Sequence, residues 1–288
     1  MIDIIIPAYN AHKHIKRALD SIAEQTIKDL VNVYIIDDGS KNGYAKYIEK
    51  YPNLKIKEIK LRKNKGPGIA RNIGLKNSNS EFLYFLDADD KFYKKDSLEI
   101  LYKNMTENTN IVIGKYLQDK ECKNNILFLS SKLFRRSFME KYKIKFPNLR
   151  IEEPNTFCLS FVFLAKEEEI KIIEDIISIY FTNINDSITK TTKNKVNNLK
   201  SFIKSFELAY KKAIKYKKRN VANKYCNVII EAIYNYYVRY IEIDKFENNQ
   251  EITMFLKITK RFYDKYKKYI NVENRKINEF LKMIDRCY

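Results

Sequence analysis

A short apolar run that ends in acids, at residues 82–90, constrains this chain more than any other stretch. Phe82 to Leu86 are consecutive apolar residues, and Asp87-Ala88-Asp89-Asp90 follow directly. Such a run is typical of a strand buried on both faces, and the acids then lie at the edge where open α/β sheets bind ligands. Asp87 and Asp89 suit a hard divalent cation. The alternative is a solvated turn in which Asp89 or Asp90 caps a helix.

Before residue 82, short apolar runs alternate with helical patterns. Predicted strands are Ile2 to Ile6, where Pro7 ends the strand, Val31 to Ile36, and Ile56 to Leu61. Predicted helices between them cover Ile15 to Ile22, Tyr44 to Ile48, and Ile69 to Leu75. This order predicts right-handed βαβ units and a mostly parallel central sheet. The loops at Pro7, Asp37 and Asp87 are then expected to form one crevice.

After residue 95 the pattern mixes helices and strands, and beyond Thr191 it is helical only. The mixed part predicts a helix through Leu98 to Met105, strands at Ile111 to Ile113 and Ile176 to Phe181, a short helix opened by Lys132 to Arg136, and a helix from Ile151 through Ala165. Four amphipathic helices are predicted around Phe202 to Ala213, Ile229 to Tyr240, Phe255 to Tyr266, and Ile277 to Ile284. We therefore expect an α/β domain over 1–192, with halves near 1–95 and 96–192, and a helical bundle over 193–288.

Composition excludes several classes of protein. The chain is 45% hydrophobic and 32% charged, which is typical of a globular protein. It contains neither G-x-G-x-x-G nor G-x-x-x-x-G-K-[ST], which argues against a Rossmann dehydrogenase and a P-loop NTPase. Its four cysteines are scattered, and no signal peptide or membrane span is evident, so the cytoplasm is the expected location.

The net charge of +19 is concentrated in the last third of the chain. Residues 191–288 carry 23 Lys and Arg against 10 Asp and Glu. A surface of this kind favours a polyanion, either a nucleic acid or an anionic membrane face. The alternatives are a homodimer interface and a solvated, lysine-rich bundle that only stabilises its neighbour.

The predicted crevice gathers groups that suit a nucleotide-sugar donor. Tyr9 offers a ring to stack on a base, Asp37 or Asp38 an acceptor for a base N–H, and Arg71 a donor to a carbonyl or phosphate. Asp87 and Asp89 with a metal would hold a diphosphate. Each residue alone is also an ordinary turn or surface residue, so the prediction rests on their joint position at strand ends.

These motifs stand in the order and spacing of glycosyltransferase family 2, which the chain resembles. They are Pro7-Ala8-Tyr9-Asn10, Asp37-Asp38-Gly39-Ser40, Asn64-x-Gly66, Ala70-Arg71-Asn72-x-Gly74 and Asp87-Ala88-Asp89-Asp90. The resemblance is specific over residues 1–95. It continues more loosely to about 192, through Lys132 to Arg136 and the stretch from Ile179 to Thr189, and does not cover the C-terminal helices. It implies the GT-A fold and inverting transfer.

The resemblance also implies roles for individual residues. The donor site would comprise Pro7, Ala8, Tyr9, Asn10, Asp37, Asp38, Asn64, Arg71, Asp87 and Ala88. Asp89, with Asp87, would ligate Mn²⁺ or Mg²⁺. In the family a base, usually the Asp of a Glu-Asp pair, deprotonates the acceptor hydroxyl, which attacks the anomeric carbon as UDP leaves.

The chain departs from the family at that base. The corresponding stretch is Glu152-Glu153-Pro154, which has no Asp. If Glu152 and Glu153 align with the Glu-Asp pair of the family, Glu153 is the base. If the alignment is set by Phe157 instead, Pro154 stands at the position of the base, and Glu153 would act from the neighbouring position. A carboxylate is adequate for this chemistry. Glu152 and Glu153 could also simply begin a helix, because acids favour first turns.

The sequence thus predicts an inverting, metal-dependent glycosyltransferase. The donor would be a UDP-sugar, and the acceptor a hydroxyl of a capsule, lipooligosaccharide or teichoic-acid-like glycan. Contact with the inner face of an anionic membrane and formation of a homodimer are further expectations. One alternative is a related subunit that binds donor without transferring it. A nucleic-acid-binding protein and a sugar nucleotidyltransferase are weaker alternatives, since no nucleic-acid module and no glycine-rich N-terminal loop is present.

Overall fold

The computed structural model describes residues 1–149, 151–182, 195–239 and 249–287. These residues form two compact units, 1–185 and 186–288. The predicted domain boundary at residue 192, and most of the stretch from Thr182 to Thr189, lie outside the described residues. The predicted domain limits therefore remain a prediction.

The first unit is built on a nine-stranded sheet. Its strands are β1 (Ile2–Ala8), β2 (Val31–Asp37), β3 (Lys55–Lys60), β4 (Phe82–Phe85), β5 (Lys91–Phe92), β6 (Ile111–Gln118), β7 (Glu121–Lys123), β8 (Lys132–Arg135) and β9 (Ile170–Tyr180). Their order is β3-β2-β1-β4-β8-β6-β9-β5, and β7 pairs with β6. The first four strands pair in parallel, which confirms the predicted βαβ units. Beyond β4 the sheet is mixed, because β8 is antiparallel to both of its neighbours.

Six helices of the described residues pack on this sheet. They are α1 (Ile15–Ala23), α2 (Ala45–Ile48), α3 (Pro67–Asn77), α4 (Ser97–Lys103), α5 (Arg136–Lys141) and α6 (Glu153–Leu164). Side chains of β1 alternate between the two layers of helices. Ile4 lies in one core cluster with Leu19 of α1, whereas Ile5 faces α3, where a Cβ on Gly74 would lie 2.4 Å from its side chain. Burial on both faces explains why β1 is apolar at consecutive positions.

Aromatic rings pack beneath the carboxyl end of β4. Phe157 of α6 stacks on Phe146 at 4.2 Å between centroids and meets Phe85 edge-on at 5.2 Å. Such contacts stabilise a core beyond the area they bury. They place the first turn of α6, which begins at Glu153, beside the turn that follows β4.

Two of the local predictions are wrong. Pro7 does not end β1; the strand continues to Ala8, with Pro7 paired in register with Ile36. Lys132 to Arg135 form β8 rather than the start of a helix, and α5 begins only at Arg136. The reason is tertiary, since β8 fills the gap between β4 and β6 and pairing on both sides overrides local propensity.

The second unit is helical, as predicted. The described residues form five helices: α7 (Lys195–Lys215), α8 (Arg219–Lys224), α9 (Cys226–Val238), α10 (Asn249–Tyr266) and α11 (Arg275–Cys287). Four match the predicted helices, and the six-residue α8 is additional. Phe206 of α7 packs on Phe262 and Tyr266 of α10, at 5.7 and 5.5 Å between ring centroids. No helix in the described ranges is long and apolar enough to cross a membrane.

Candidate active site

The predicted crevice begins where β1, β2 and β3 end together. Ala8, Asp37 and Lys60 are in register across the three strands. Asp37 accepts a hydrogen bond from the Ser40 N–H at 2.7 Å, and the Ser40 hydroxyl accepts one from the Asn10 N–H at 2.9 Å. The loop after β1 is thereby tied to the Asp37-Asp38-Gly39-Ser40 turn.

Asp38 ties the same turn to the segment that precedes α3. Its two carboxylate oxygens accept from the N–H groups of Lys65 and Gly66, each at 2.8 Å. Burial raises the pKa of Asp38, and these two hydrogen bonds offset part of that rise. Gly39 has φ +80° and lies so close to Lys63 that a Cβ would be 2.6 Å from its backbone, so only glycine fits there.

Arg71 of α3 joins two acidic segments that are far apart in the sequence. Its guanidinium donates to the Asp87 carboxylate and to the Glu153 carboxylate, both at 2.6 Å, and the residue is 3% exposed. Burial alone would lower the pKa of Arg71, but the charges of Asp87 and Glu153 outweigh it and raise the pKa. Arg71 therefore stays charged and holds the turn after β4 against the start of α6.

The two glutamates at the start of α6 differ in their surroundings. The Glu153 side chain is 4% exposed, and burial raises its pKa, which the Arg71 charge offsets only in part. Glu152 is half-buried and has φ +65°, a left-handed conformation that is unusual for a residue with a Cβ. Its carboxylate accepts from the Asn155 side-chain amide at 2.5 Å. Backbone strain of this kind is enriched at active sites, although helix ends such as Lys217, with φ +59°, also show it.

The three acids after β4 are held at different depths. Asp87 is half-buried and pairs with Arg71, whereas Asp90 is fully buried and accepts from the Phe181 N–H at 3.4 Å. Burial, with a further contribution from Asp87, raises the pKa of Asp89 to about 6. Among the residues that the structure describes, no other residue donates a hydrogen bond to the Asp89 carboxylate.

The Asp87–Asp89 pair fits a divalent cation. The Asp89 carboxylate lies in the field of Asp87, and a bound cation would remove that repulsion. The described residues contain no cluster of three or more His, Cys, Asp or Glu that could hold a metal. Magnesium sites that also bind a diphosphate commonly use one or two carboxylates, with phosphate and water as the other ligands. Two aspartates therefore suffice for a site of that kind.

Arg17 is a candidate site residue that the sequence did not reveal. It lies on α1, where a basic residue in an amphipathic helix gives no functional signal. Its guanidinium donates to the Asp89 backbone carbonyl and lies 3.6 Å from the centre of the Phe181 ring. Arg17 and Asp90 thus both connect the turn after β4 to the end of β9.

An Arg17→Met variant should bind UDP about tenfold more weakly in the presence of Mn²⁺, because the turn that carries Asp89 loses a charged hydrogen-bond donor. Titration calorimetry with and without Mn²⁺ measures the effect. Metal-free binding of UDP should change little. The exposed Lys13→Met variant is the matched control, and an equal loss with and without metal would show a general structural role instead.

The structure brings most of the predicted residues together, although it does not test their roles. Pro7 and Ala8 end β1, Tyr9 follows them at 49% exposure, and Asn64 is exposed in the loop before α3. Ala88 is buried between the two metal candidates. Arg71 faces the carboxylates rather than open solvent, so its contact with a donor remains a prediction.

The sequence is similar to a glycosyltransferase family and to proteins of teichoic acid biosynthesis. A model of the family described as Glycosyl transferase family 2 matches residues 3–166. The poly(ribitol-phosphate) beta-N-acetylglucosaminyltransferase TarP of Staphylococcus aureus strain N315 is 30% identical over 227 residues, which are 67% of this chain and 68% of TarP. The minor teichoic acid biosynthesis protein GgaA of Bacillus subtilis strain 168 is 36% identical over 120 residues, but only 27% of GgaA is covered.

Solved structures show the same fold. TarS 1–349 of S. aureus in complex with UDP-GlcNAc superposes with a TM-score of 0.74 at 20% identity, covering 91% of this chain and 80% of that one. The mannosyltransferase PcManGT of Pyrobaculum calidifontis, in complex with GDP-Man and Mn²⁺, gives a TM-score of 0.62 at 15% identity and covers 99% of this chain and 84% of its own. At these identities the similarity shows the GT-A fold alone.

Proposed function

The chain belongs to glycosyltransferase family 2, and we propose that it transfers a sugar from a UDP-sugar, with inversion, to a hydroxyl of a phosphate-rich cell-wall polymer. The observation that carries the proposal is the pair Asp87 and Asp89 at the carboxyl end of β4, joined through Arg71 to Glu153. UDP-GlcNAc is the first donor to test, because TarP is named for that sugar and TarS was solved with it.

The residues around the crevice suit the parts of such a donor. The exposed ring of Tyr9 offers a stacking surface for uracil. Asp37 and Asp38 are almost fully buried, and the second carboxylate oxygen of Asp37, which accepts no hydrogen bond from the described residues, would be the acceptor for a base N–H. Asp89, with Asp87, would hold Mn²⁺ or Mg²⁺ against the diphosphate. When bound, that cation neutralises the charge that develops on the departing diphosphate.

Glu152 is our candidate for the general base. Glu153 is occupied by Arg71 and almost fully buried, whereas Glu152 is half-buried beside it, on a strained backbone. The acceptor oxygen would form the new bond to the anomeric carbon as the bond to the diphosphate oxygen breaks, and its proton would pass to the Glu152 carboxylate. Glu153 would instead keep Arg71 in place.

The acceptor class follows from the relatives named above. TarP is named for poly(ribitol-phosphate) and GgaA for minor teichoic acid, so a teichoic-acid-like polymer is the acceptor that we propose. Such polymers carry both hydroxyls and phosphates, and a strongly basic protein would attract them. We propose that transfer takes place in the cytoplasm, at the inner face of the membrane.

Replacing Asp89 with Asn should weaken binding of UDP in Mn²⁺ about tenfold or more, because one of the two carboxylates that hold the cation is lost. The measurement is calorimetric titration of UDP, then of a panel of UDP-sugars, with and without Mn²⁺. Turnover of the preferred donor onto an isolated teichoic-acid polymer, followed by mass spectrometry of the product, then tests transfer itself.

Asp96→Asn is the matched control, since Asp96 is an exposed acid just before α4 and should leave binding unchanged. Wild-type affinity and turnover in the Asp89→Asn variant would contradict the metal role. Absence of UDP binding under every metal condition would contradict the donor site as a whole.

The alternative of a subunit that binds donor without transferring it is favoured by one observation. Glu153 is held in a buried ion pair, and proline follows it. That alternative predicts that the protein binds UDP in a metal-dependent way but transfers sugar to no acceptor. Wild type and Glu152→Gln would then be equally inactive in transfer.

A further inference from the structure

Residues 208–230 contain a high density of positive charge without any negative charge. This stretch has seven Lys and Arg and no Asp or Glu. It covers the end of α7, the turn that follows and all of α8. Lys217 in the turn has φ +59°, a left-handed conformation that ends the helix.

A second segment of the same unit adds cations at this end. The Tyr210 ring of α7 lies 5.2 Å from Tyr266, the last residue of α10, and Lys267 and Lys268 follow directly in a 3₁₀ turn. The Asn227 side chain of α9 exchanges hydrogen bonds of 2.9 and 2.8 Å with the Asn271 backbone. The ends of α7 and α10 and the start of α9 therefore meet at one end of the helical unit.

Six cations at this end have no carboxylate partner among the described residues. We call them the basic end: Lys211, Lys215, Lys217, Lys218, Arg219 and Lys268. Some other cations of the unit do have a carboxylate partner, as in Lys265 with Glu207 at 2.5 Å and Arg275 with Glu279 at 2.9 Å. The charge of the basic end is thus available to an external anion.

Apolar side chains are exposed among these cations. Ile214 is 38% exposed and lies three residues after Lys211, on the same helical face. Val228, next to Asn227 at the same end, is 41% exposed. A soluble polyanion would leave these side chains in water, whereas a lipid interface has both headgroup phosphates and an apolar layer.

We propose that the basic end docks on an anionic bilayer, with its lysines against headgroup phosphates and Ile214 and Val228 at the acyl boundary. Clusters of four to eight Lys and Arg at a membrane surface bind anionic lipid in this way. The inference rests on the proposed function, in which transfer takes place at the inner face of the membrane, but it involves residues in the helical unit and does not depend on the donor site.

Cosedimentation of the full chain with vesicles tests the docking surface. Wild-type protein should bind vesicles of phosphatidylglycerol and phosphatidylcholine at 0.1 M NaCl and should not bind phosphatidylcholine alone. The K215E/K217E/K218E variant should bind the anionic vesicles about tenfold or more weakly. The matched control is K200E/K204E/K282E, which makes the same charge change at three exposed lysines and should keep most of the binding.

Two further measurements separate the explanations. Ile214→Ser, which leaves the charge unchanged, should also weaken vesicle binding, because it removes an apolar contact. The proposal is overturned if the wild-type protein does not bind anionic vesicles, or if both triple variants lose vesicle binding equally. It is also overturned if Ile214→Ser has no effect and the protein binds soluble polyphosphate or single-stranded DNA as tightly as it binds the vesicles. UDP calorimetry on every variant checks folding and shows whether the donor site fails separately.

Discussion

A Glu152→Gln variant is expected to turn over about 10²- to 10⁴-fold more slowly than wild type while it binds UDP with unchanged affinity. Glutamine keeps the size of the side chain and can still bond Asn155, but it cannot take the proton of the acceptor hydroxyl. Steady-state kinetics with the preferred UDP-sugar measures kcat, and calorimetry measures the binding of UDP. The effect should therefore appear in kcat and leave the affinity for donor unchanged.

Two comparisons make that result specific. Glu152→Gly also removes the carboxylate but suits the left-handed backbone at φ +65°, so it should lose activity without losing stability. Glu168→Gln, at an exposed glutamate after α6, should have no effect. If Glu153→Gln lost turnover with donor binding intact while Glu152→Gln stayed active, Glu153 would be the base and our assignment would be wrong.

An Arg71→Met variant is expected to lose about 3–5 kcal/mol of the free energy of unfolding at pH 7, because it leaves the Asp87 and Glu153 carboxylates without their shared cation. It should also bind UDP less tightly, since the turn with Asp87 and Asp89 is no longer tied to α6. Urea unfolding followed by circular dichroism measures the first effect, and calorimetry the second.

The destabilisation should depend on pH. Without Arg71, the raised pKa of Glu153 would rise further, so the folded variant would take up protons that the unfolded chain takes up only at lower pH. The variant should therefore recover part of its stability relative to wild type as the pH is lowered from 7 to 5.5. The exposed Arg62→Met is the matched control. A loss that stays constant over this pH range would contradict the ion-pair explanation.

Short-range pattern was sufficient for much of the first unit. Strands β1 to β4 were predicted because each is an apolar run bounded by turn residues, and their parallel pairing follows from the intervening helices. The convergence of the Pro7, Asp37 and Asp87 loops needed only the rule that parallel strands end at one edge. The helical second unit was predicted from its periodicity.

Long-range pairing decided what the sequence could not. Residues 132–135 combine charged and apolar side chains in a pattern that predicts a helix. They form β8 instead, because β8 pairs with β4 on one side and with β6 on the other. Lys132 is fully buried there, its amine donates to the Asn125 carbonyl at 3.1 Å, and burial lowers its pKa to about 8. No local rule anticipates a lysine in that position.

In the candidate site, too, some features follow from local sequence and others from long-range contacts. The sequence by itself determined which acids and turns lie at the carboxyl edge of the sheet, because strand periodicity and loop chemistry are local properties. Only the tertiary structure decided that Arg71 joins Asp87 to Glu153, that Arg17 supports the Asp89 turn, and that Glu153 is more deeply buried than Glu152. Those contacts join residues 16 to 82 positions apart, and burial, which sets their strength, exists only in the folded chain.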